Sequence, residues 1–406
     1  MIRELTADCV HCGFCLPTCP TYVLWSEEMD SPRGRIHLMD ARLDGTVTLN
    51  STVTTHFDRC LGCMACVSSC PSGVRYDRLI ESTRAAVEEE YERPIGDRLL
   101  RGLLFRVLPY PGRMRAALRL APLGRIAPLP RRFRPLVEIA PRWRGKGDVP
   151  AVTPAVGIRR ARVGLLTGCV QSAVFPDVNA ATARVLASDG FEVAAPPQGC
   201  CGALSVHAGR LEEGRAFANR LIDVFDDVDL IVVNSSGCGS HLKELGWLLG
   251  DERAAAFSAK VRDVGELLAS VPPRARRHPL ALRVALQDSC HLRHAQRLPL
   301  SSRASLARVP GLEVVEPAEQ DLCCGSAGIY NVVEPEAARE LGDRKAGHVL
   351  ATGAQAYASA NPGCLVQLSQ ALRRVKQPLP ALHPIELVDA SIGNVGAGRL
   401  LSRARR

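Results

Sequence analysis

The chain has 406 residues, enough for two to four domains, and 51 Lys or Arg against 42 Asp or Glu leave it at +9. The surplus is local: residues 96–147 hold thirteen Lys or Arg against Asp97 and Glu138, so the remainder is −2. This excludes a protein that coats nucleic acid with a generally basic surface and directs attention to one segment.

Residues 1–95 open with Cys9-x2-Cys12-x2-Cys15-x3-Cys19-Pro20, which recurs as Cys60-x2-Cys63-x2-Cys66-x3-Cys70-Pro71. Two identical runs ending in Cys-Pro indicate the ligands of a pair of 4Fe–4S clusters, with zinc binding or disulfides as the alternatives. In this pattern the fourth cysteine of each run serves the other cluster. The expected sets are Cys9, Cys12, Cys15 and Cys70 for one, and Cys60, Cys63, Cys66 and Cys19 for the other. Between the runs, Ser31-Pro32 reads as an N-cap and first helical residue, Ile36 to Leu43 as a helix and Gly45 as its end. Arg78 to Tyr91 reads as a second helix, which predicts a mostly helical double-cluster ferredoxin domain. Oxidised 4Fe–4S cores with four thiolates each carry −2, which lowers the balance from +9 to +5.

The chain opens on no apolar leader, and its thiols fall at metal spacings, as in a reducing compartment. No uninterrupted apolar stretch reaches about 18 residues. The expected location is the cytoplasm, or the periphery of the inner membrane on its cytoplasmic face.

Residues 96–158 form a Pro- and Arg-rich connector. Leucines and arginines alternate at helical spacing from Arg98 to Arg106; beyond, Pro109, Pro111, Pro122, Pro128, Pro130, Pro135 and Pro141 break the pattern. Packing on the chain's own domains, docking to a partner subunit and contact with a membrane surface are the readings this composition supports.

An internal duplication follows, over residues 159–272 and 280–390. Arg162 to Cys169 aligns with Arg283 to Cys290, Cys200-Cys201-Gly202 with Cys323-Cys324-Gly325, and Ser236-Gly237-Cys238 with Pro362-Gly363-Cys364. The first copy reads as strand Val163–Leu166, helix Asn179–Ser188, strand Phe191–Ala194, helix Arg210–Val224 and strand Leu230–Asn234. That alternation predicts a parallel α/β sheet in each copy, with cysteines at the carboxyl edge. The fold class is therefore α+β multidomain: a helical ferredoxin domain, then two α/β repeats. Residues 391–406, with Gly393, Gly396 and Gly398, read as a flexible tail.

Each copy offers four thiolates, Cys169, Cys200, Cys201 and Cys238 or Cys290, Cys323, Cys324 and Cys364. Adjacent cysteines rarely form a good disulfide but can present two sulfurs to one metal centre. Gly202 and Gly325 would let the backbone approach closely. A structural zinc ion or a further Fe–S cluster would satisfy either set, and buried inert cysteines are the alternative.

Tandem Cys-Cys-Gly repeats after a two-cluster domain resemble the iron–sulfur subunits of flavin-linked 2-hydroxy-acid dehydrogenases. The chain is similar also to heterodisulfide reductase subunits and the third subunit of anaerobic glycerol-3-phosphate dehydrogenase. The iron–sulfur subunits of bacterial glycolate oxidase match best. The resemblance rests on Cys9-Val10-His11-Cys12-Gly13-Phe14-Cys15, Pro20-Thr21-Tyr22, Ser31-Pro32-Arg33-Gly34-Arg35-Ile36, Cys70 to Tyr76, Ser236 to Gly239 and Leu322 to Gly328. In heterodisulfide reductases each repeat ends in Cys-x-x-Cys and five cysteines hold a catalytic non-cubane cluster. Ser235 and Asn361 stand where the first of those two cysteines would be, which argues against that chemistry here.

No Gly-x-Gly-x-x-Gly opens a helix after a strand, and no Walker loop or nucleophile elbow is visible. His207 and His291 could stand near the metal sites, with solvated loop histidines as the alternative. Arg33 and Arg35 are candidates to lie against a cluster or an acidic partner, or to be exposed helix-start arginines. Hydride acceptance by a flavin has no evident place in this chain, so FAD is expected on a partner dehydrogenase subunit. The resemblance implies electron transfer from that flavin toward a quinone or another acceptor, with glycolate oxidised to glyoxylate. Lactate or glycerol-3-phosphate are the alternative substrates, and a catalytic Cys-Cys-Gly site the alternative mechanism. No catalytic residue is assigned to this chain.

Overall fold

Short polar caps start the helices of the N-terminal region. In the computed structural model, which describes all residues except 1, 127–129, 142–146, 148 and 406, helix Pro32–Leu43 begins at Ser31. The Ser31 hydroxyl accepts from the Gly34 N–H at 3.0 Å, and Pro32 fills the first turn, where its missing N–H is harmless. Asn50 caps helix Ser51–Asp58 in the same way, and helix Tyr76–Glu90 follows the second cysteine run. These helices bury Ile36, Met39, Phe57, Leu79 and Ile80 in one core, and no strand occurs before residue 152 among the described residues.

The connector is more ordered than its prolines suggest. It forms helices Ile95–Val107 and Pro111–Ile126 and, further on, helix Arg134–Ile139. Pro109 lies in the turn between the first two, Pro111 starts the second, where its missing N–H is harmless, and Pro122 stands inside it, where it removes one N–H from the ladder. Pro128 lies outside the described residues. Leu100, Leu104, Phe105, Met114 and Leu118 are buried, so these helices pack on the chain itself.

Strand β1 (Val152–Thr153), assigned to the connector by sequence, joins the first repeat's sheet instead. That sheet continues with β2 (Ala161–Leu166), β3 (Phe191–Ala194), β4 (Leu230–Val233) and β5 (Val261–Asp263), in the order β1-β3-β2-β4-β5. Only β1 is antiparallel among its pairings. The second sheet holds β6 (Leu282–Leu286), β7 (Leu312–Val315), β8 (Ala356–Ala358) and β9 (Ala381–Leu382), ordered β7-β6-β8-β9 and wholly parallel. β2, β3, β4 and β5 thus correspond in position to β6, β7, β8 and β9. Val163, Leu165 and Val232 share one core with Val284, Tyr357 and Leu382, so the two repeats are one packed unit.

The expected flexible tail is corrected. Helix Pro384–Ile392 covers part of residues 391–406, and helix Ala397–Arg405 follows it. Leu400 and Ala404, one turn apart, are buried in the shared core and hold the arginine-rich segment in place.

Candidate metal centres and the cavity between them

Left-handed bends of the backbone separate the first three cysteines of each run, with Cys66 in the short helix Ala65–Ser68. His11 (φ +53°), Gly13 (+88°), Gly62 (+61°) and Met64 (+62°) make these bends. Cys19, Cys60, Cys63 and Cys66 are buried; Cys9, Cys15 and Cys70 are half-buried and Cys12 is exposed. Burial, then the proximity of Cys63, Cys19 and Cys60, pushes the Cys66 thiol well above its ordinary value. Burial, with Cys70 and Cys12 adding to it, raises Cys9. Cys70 is thus a neighbour of Cys9, and Cys19 a neighbour of Cys66. Cys15, pushed up to about 11 chiefly by burial, lies between Cys19 and Cys9.

A buried cation faces Cys19 and Cys60. Arg35 is 1% exposed and is fixed by hydrogen bonds to the His56 carbonyl (2.6 Å) and the Thr21 hydroxyl (3.2 Å). Its Nη1 lies 4.0 Å from Cys19 Sγ, and Nη2 lies 3.4 Å from the buried Asp30 carboxylate. Burial alone would raise the Cys60 thiol. The Arg35 and Arg84 charges, the Gly62 N–H (3.4 Å) and the Tyr76 hydroxyl (3.7 Å) outweigh it and bring Cys60 below its ordinary value. Arg33, by contrast, pairs at the surface with Glu28. A set of thiolates with N–H donors and a buried guanidinium fits an anionic iron–sulfur centre. Among the described residues, no three His, Cys, Asp or Glu side chains close on a single metal ion. A cubane, with one sulfur at each corner iron, takes a more widely spaced set.

In the repeats the cysteines gather at the carboxyl ends of the strands. Cys169 follows β2 and Cys238 begins the helix after β4; Cys290 and Cys364 take the corresponding places after β6 and β8. Cys169 Sγ lies 3.4 Å from Cys200 Sγ, and Cys290 Sγ lies 3.9 Å from Cys323 Sγ. Contacts continue from Cys200 through Cys201 to Cys238, and from Cys323 through Cys324 to Cys364. Each half thus holds a chain of four touching thiols. Hydrogen bonds from Cys169 and Cys201 pull Cys200 well below its ordinary value, and those from Cys323 and Cys364 do the same to Cys324. Gly202 (φ +92°) and Gly325 (φ +85°) permit the turn, because a Cβ there would stand 2.8 Å from Gly214 O or 2.7 Å from Ala338 O.

The two thiol sets face a common cavity of about 680 Å³, which also reaches Cys60 of the N-terminal region. Ser235 and Asn361 meet across it at 3.3 Å, and Asn361 Nδ2 donates to Cys364 Sγ at 3.5 Å. Cys63 is near enough to Cys290 that, after burial, this neighbour contributes most to raising its thiol.

Histidines bind the regions together. His291 Nε2 lies 2.9 Å from Gly62 O and its Nδ1 2.7 Å from Ser240 Oγ, while His294 Nδ1 lies 2.7 Å from Ser68 Oγ. His207 Nδ1 lies 2.7 Å from Glu81 Oε1, with its ring 5.3 Å from that of His291. Burial pushes His207, His241 and His291 each down to about 4 and Glu81 up to about 7. Sequence reasoning had not singled out Glu81, Tyr76 or the buried Lys345, whose charge stands near Cys324. Glu81 lies in an acid-rich helix with no distinguishing spacing; Tyr76, six residues beyond Cys70, was the more visible signal.

Comparison with known proteins places these frameworks. A 4Fe-4S dicluster domain matches residues 6–74, and a cysteine-rich domain matches residues 163–243 and 284–369. The chain is 36% identical to the probable glycolate oxidase iron-sulfur subunit of Bacillus subtilis (strain 168), covering 95% of this chain and 94% of that protein. It is 37% identical to the glycolate oxidase iron-sulfur subunit of Escherichia coli (strain K12), covering 96% of each. A crystal structure of a hypothetical protein from Helicobacter pylori shares the fold at a TM-score of 0.51 and 9% identity, over 91% of this chain and 69% of that one. With both cysteine frameworks matched and the likeness running nearly end to end, the chain belongs to the family of glycolate oxidase iron–sulfur subunits.

Proposed function

We propose that this chain is the electron-transfer subunit of a flavin-linked 2-hydroxy-acid dehydrogenase that oxidises glycolate to glyoxylate. Its partner is an FAD-binding dehydrogenase subunit, and its electrons go on to a quinone or another acceptor. The observation that carries this is the crossed proximity of the N-terminal thiols, Cys70 to Cys9 and Cys19 to Cys66, with Cys63 near Cys290. Cys9, Cys12, Cys15 and Cys70 would hold one 4Fe–4S cluster, and Cys60, Cys63, Cys66 and Cys19 the other. Bound there, such clusters supply one-electron transfer, which lets the two electrons of a reduced flavin leave singly. Arg35 holds positive charge beside the second set, and Tyr76 and Gly62 donate to Cys60 Sγ.

The thiols Cys169, Cys200, Cys201 and Cys238, and Cys290, Cys323, Cys324 and Cys364, suit further iron–sulfur centres; a single zinc ion would need them to draw closer, since no three such ligands close on one ion among the described residues. Asn361 and Ser235 leave each repeat one thiolate short of the five-cysteine set, which favours relay or structural sites over disulfide chemistry. Among the described residues no helix is long and apolar enough to cross a membrane, and the proposed location is cytoplasmic, peripheral to the membrane.

Anaerobic purification with iron and zinc quantitation and EPR tests the reading. About eight irons per chain correspond to two cubanes alone. Adding glycolate and the FAD-binding subunit should reduce the N-terminal centres. Oxidation of glycolate by the purified chain alone would overturn the proposal, as would N-terminal centres that stay oxidised with the partner present.

A further inference from the structure

The cavity beside the repeat cysteines continues outward to the connector helices. Leu104, Met114, Leu118, Ile329 and Val332 wall it, so its middle is apolar. At the outer end Leu103 and Leu120 line it while remaining 44% and 62% exposed, which puts its mouth on the outer face of helices Ile95–Val107 and Pro111–Ile126. That face is apolar well beyond the mouth. Ile95, Leu99 and Leu103 recur every fourth residue on the first helix, and Leu120, Leu123 and Ile126 stand exposed on the second. Exposed Arg98, Arg106, Arg113 and Arg119 accompany them. Across residues 95–126 seven arginines oppose a single acid, Asp97, which is paired with Arg93 and Arg101. Leucines with arginines and no free acid form the pattern of a helix pair lying in the headgroup region of an anionic bilayer.

The inner end is polar. His207 lines it, with Nδ1 facing Glu81 and Nε2 buried without a hydrogen-bond partner among the described residues. With the Glu81 carboxyl protonated, Nδ1 accepts and the Nε2–H is free to donate to a carbonyl oxygen. The cavity of about 680 Å³ includes the space beside the repeat cysteines, and its apolar part toward the connector helices is what a tailed ring would occupy.

We propose that this cavity binds a prenylated quinone, its ring toward His207 and the repeat cysteines and its tail toward the mouth, and that the quinone arrives from an anionic bilayer on which the connector helices rest. This rests on the electron-transfer reading above, for which it specifies the acceptor class and the acceptor's site.

The test uses the full-length chain, purified anaerobically, and a photoreactive naphthoquinone with a short isoprenoid tail. Label mapped by mass spectrometry should fall on the connector helices or on residues 329–333, and unlabelled naphthoquinone should compete it away. Ala121→Trp and Val332→Trp, both at residues that line the cavity, should each lower labelling about tenfold with iron content and melting behaviour retained. Label outside the cavity, or labelling indifferent to the competitor, overturns the site. In the second arm, the chain should float with vesicles of phosphatidylcholine and phosphatidylglycerol but not with phosphatidylcholine alone, and Leu99→Asp/Leu123→Asp should abolish flotation. Absence of flotation overturns the bilayer as the source and leaves a partner protein as the cover of this face. Neither arm needs glycolate or the flavin subunit, so failure of the relay reading and failure of the cavity proposal are separately visible.

Discussion

Removing the Arg35 charge should lower the reduction potential of the centre assigned to Cys19, Cys60, Cys63 and Cys66. Arg35 is sealed from solvent, and its Nη1 stands 4.0 Å from Cys19 Sγ, which puts the guanidinium about 6 Å from the middle of a bound cluster. A unit charge at about 6 Å and an effective dielectric of about 20 is worth roughly 3 kcal/mol to an added electron. At about 1.4 kcal/mol per 59 mV for one electron, Arg35→Met should shift the midpoint down by about 130 mV. Arg35→Lys, which keeps the charge, should shift it much less. The assay is an EPR-monitored redox titration of the anaerobically purified chain, with iron content measured on each variant. Asp30 keeps Arg59 (2.8 Å) and His56 (3.0 Å) as partners, so the variant loses one member of a buried network, at a stability cost of about 3 kcal/mol. An unchanged or higher midpoint in Arg35→Met with full iron content would refute the electrostatic role given to this residue.

Other consequences are as concrete. Gly202→Ala forces a Cβ to 2.8 Å from Gly214 O at φ +92°; it should destabilise the first repeat by about 2 kcal/mol and deplete metal there, read by melting and metal analysis, while N-terminal EPR signals persist. Phe57→Ala, at a fully buried position, should cost about 3–5 kcal/mol in denaturant titration and loosen the N-terminal domain first. Burial lifts the Asp263 carboxyl from its ordinary 3.8 to about 7, so between those values the folded state holds a proton that the unfolded chain has lost. Stability should therefore fall as pH rises from about 4 to 7, by roughly 4 kcal/mol, and Asp263→Asn, which can still cap helix Val264–Ser270, should flatten that slope in melts across the window.

Much of the architecture was legible because it is local. Ser31-Pro32 predicts a helix start from two adjacent residues, and the three strands expected in the first repeat fall within two residues of their bounds, while β1 and β5 are not among those expected. Apolar runs alternating with helical periods leave little else for such segments to become. The connector and the tail were harder for a physical reason. Pro122 signals a break yet lies inside helix Pro111–Ile126, and Leu400 with Ala404 is too short a stripe to stand out among arginines. Their order comes from surfaces supplied by distant parts of the chain.

The same limit governs the sites. Two-residue spacings single out the eight N-terminal cysteines as candidates, and the internal repeat singles out the other eight. Spacing could not reveal that Arg35 is buried, because its partners His56, Thr21 and Asp30 come from three other segments. Nor could it relate Ser235 to Asn361, which read as separate losses of a ligand in two repeats. In the fold they touch, 3.3 Å apart, at the seam where the thiol sets face one cavity. Restoring a cysteine at either position would thus alter both halves at once. Ser235→Cys and Asn361→Cys should each perturb the metal content or EPR of the opposite repeat, and the double variant should differ from the sum of the single ones, because the changed groups share one contact. Additive effects confined to each variant's own repeat would mean that the seam does not couple the two centres.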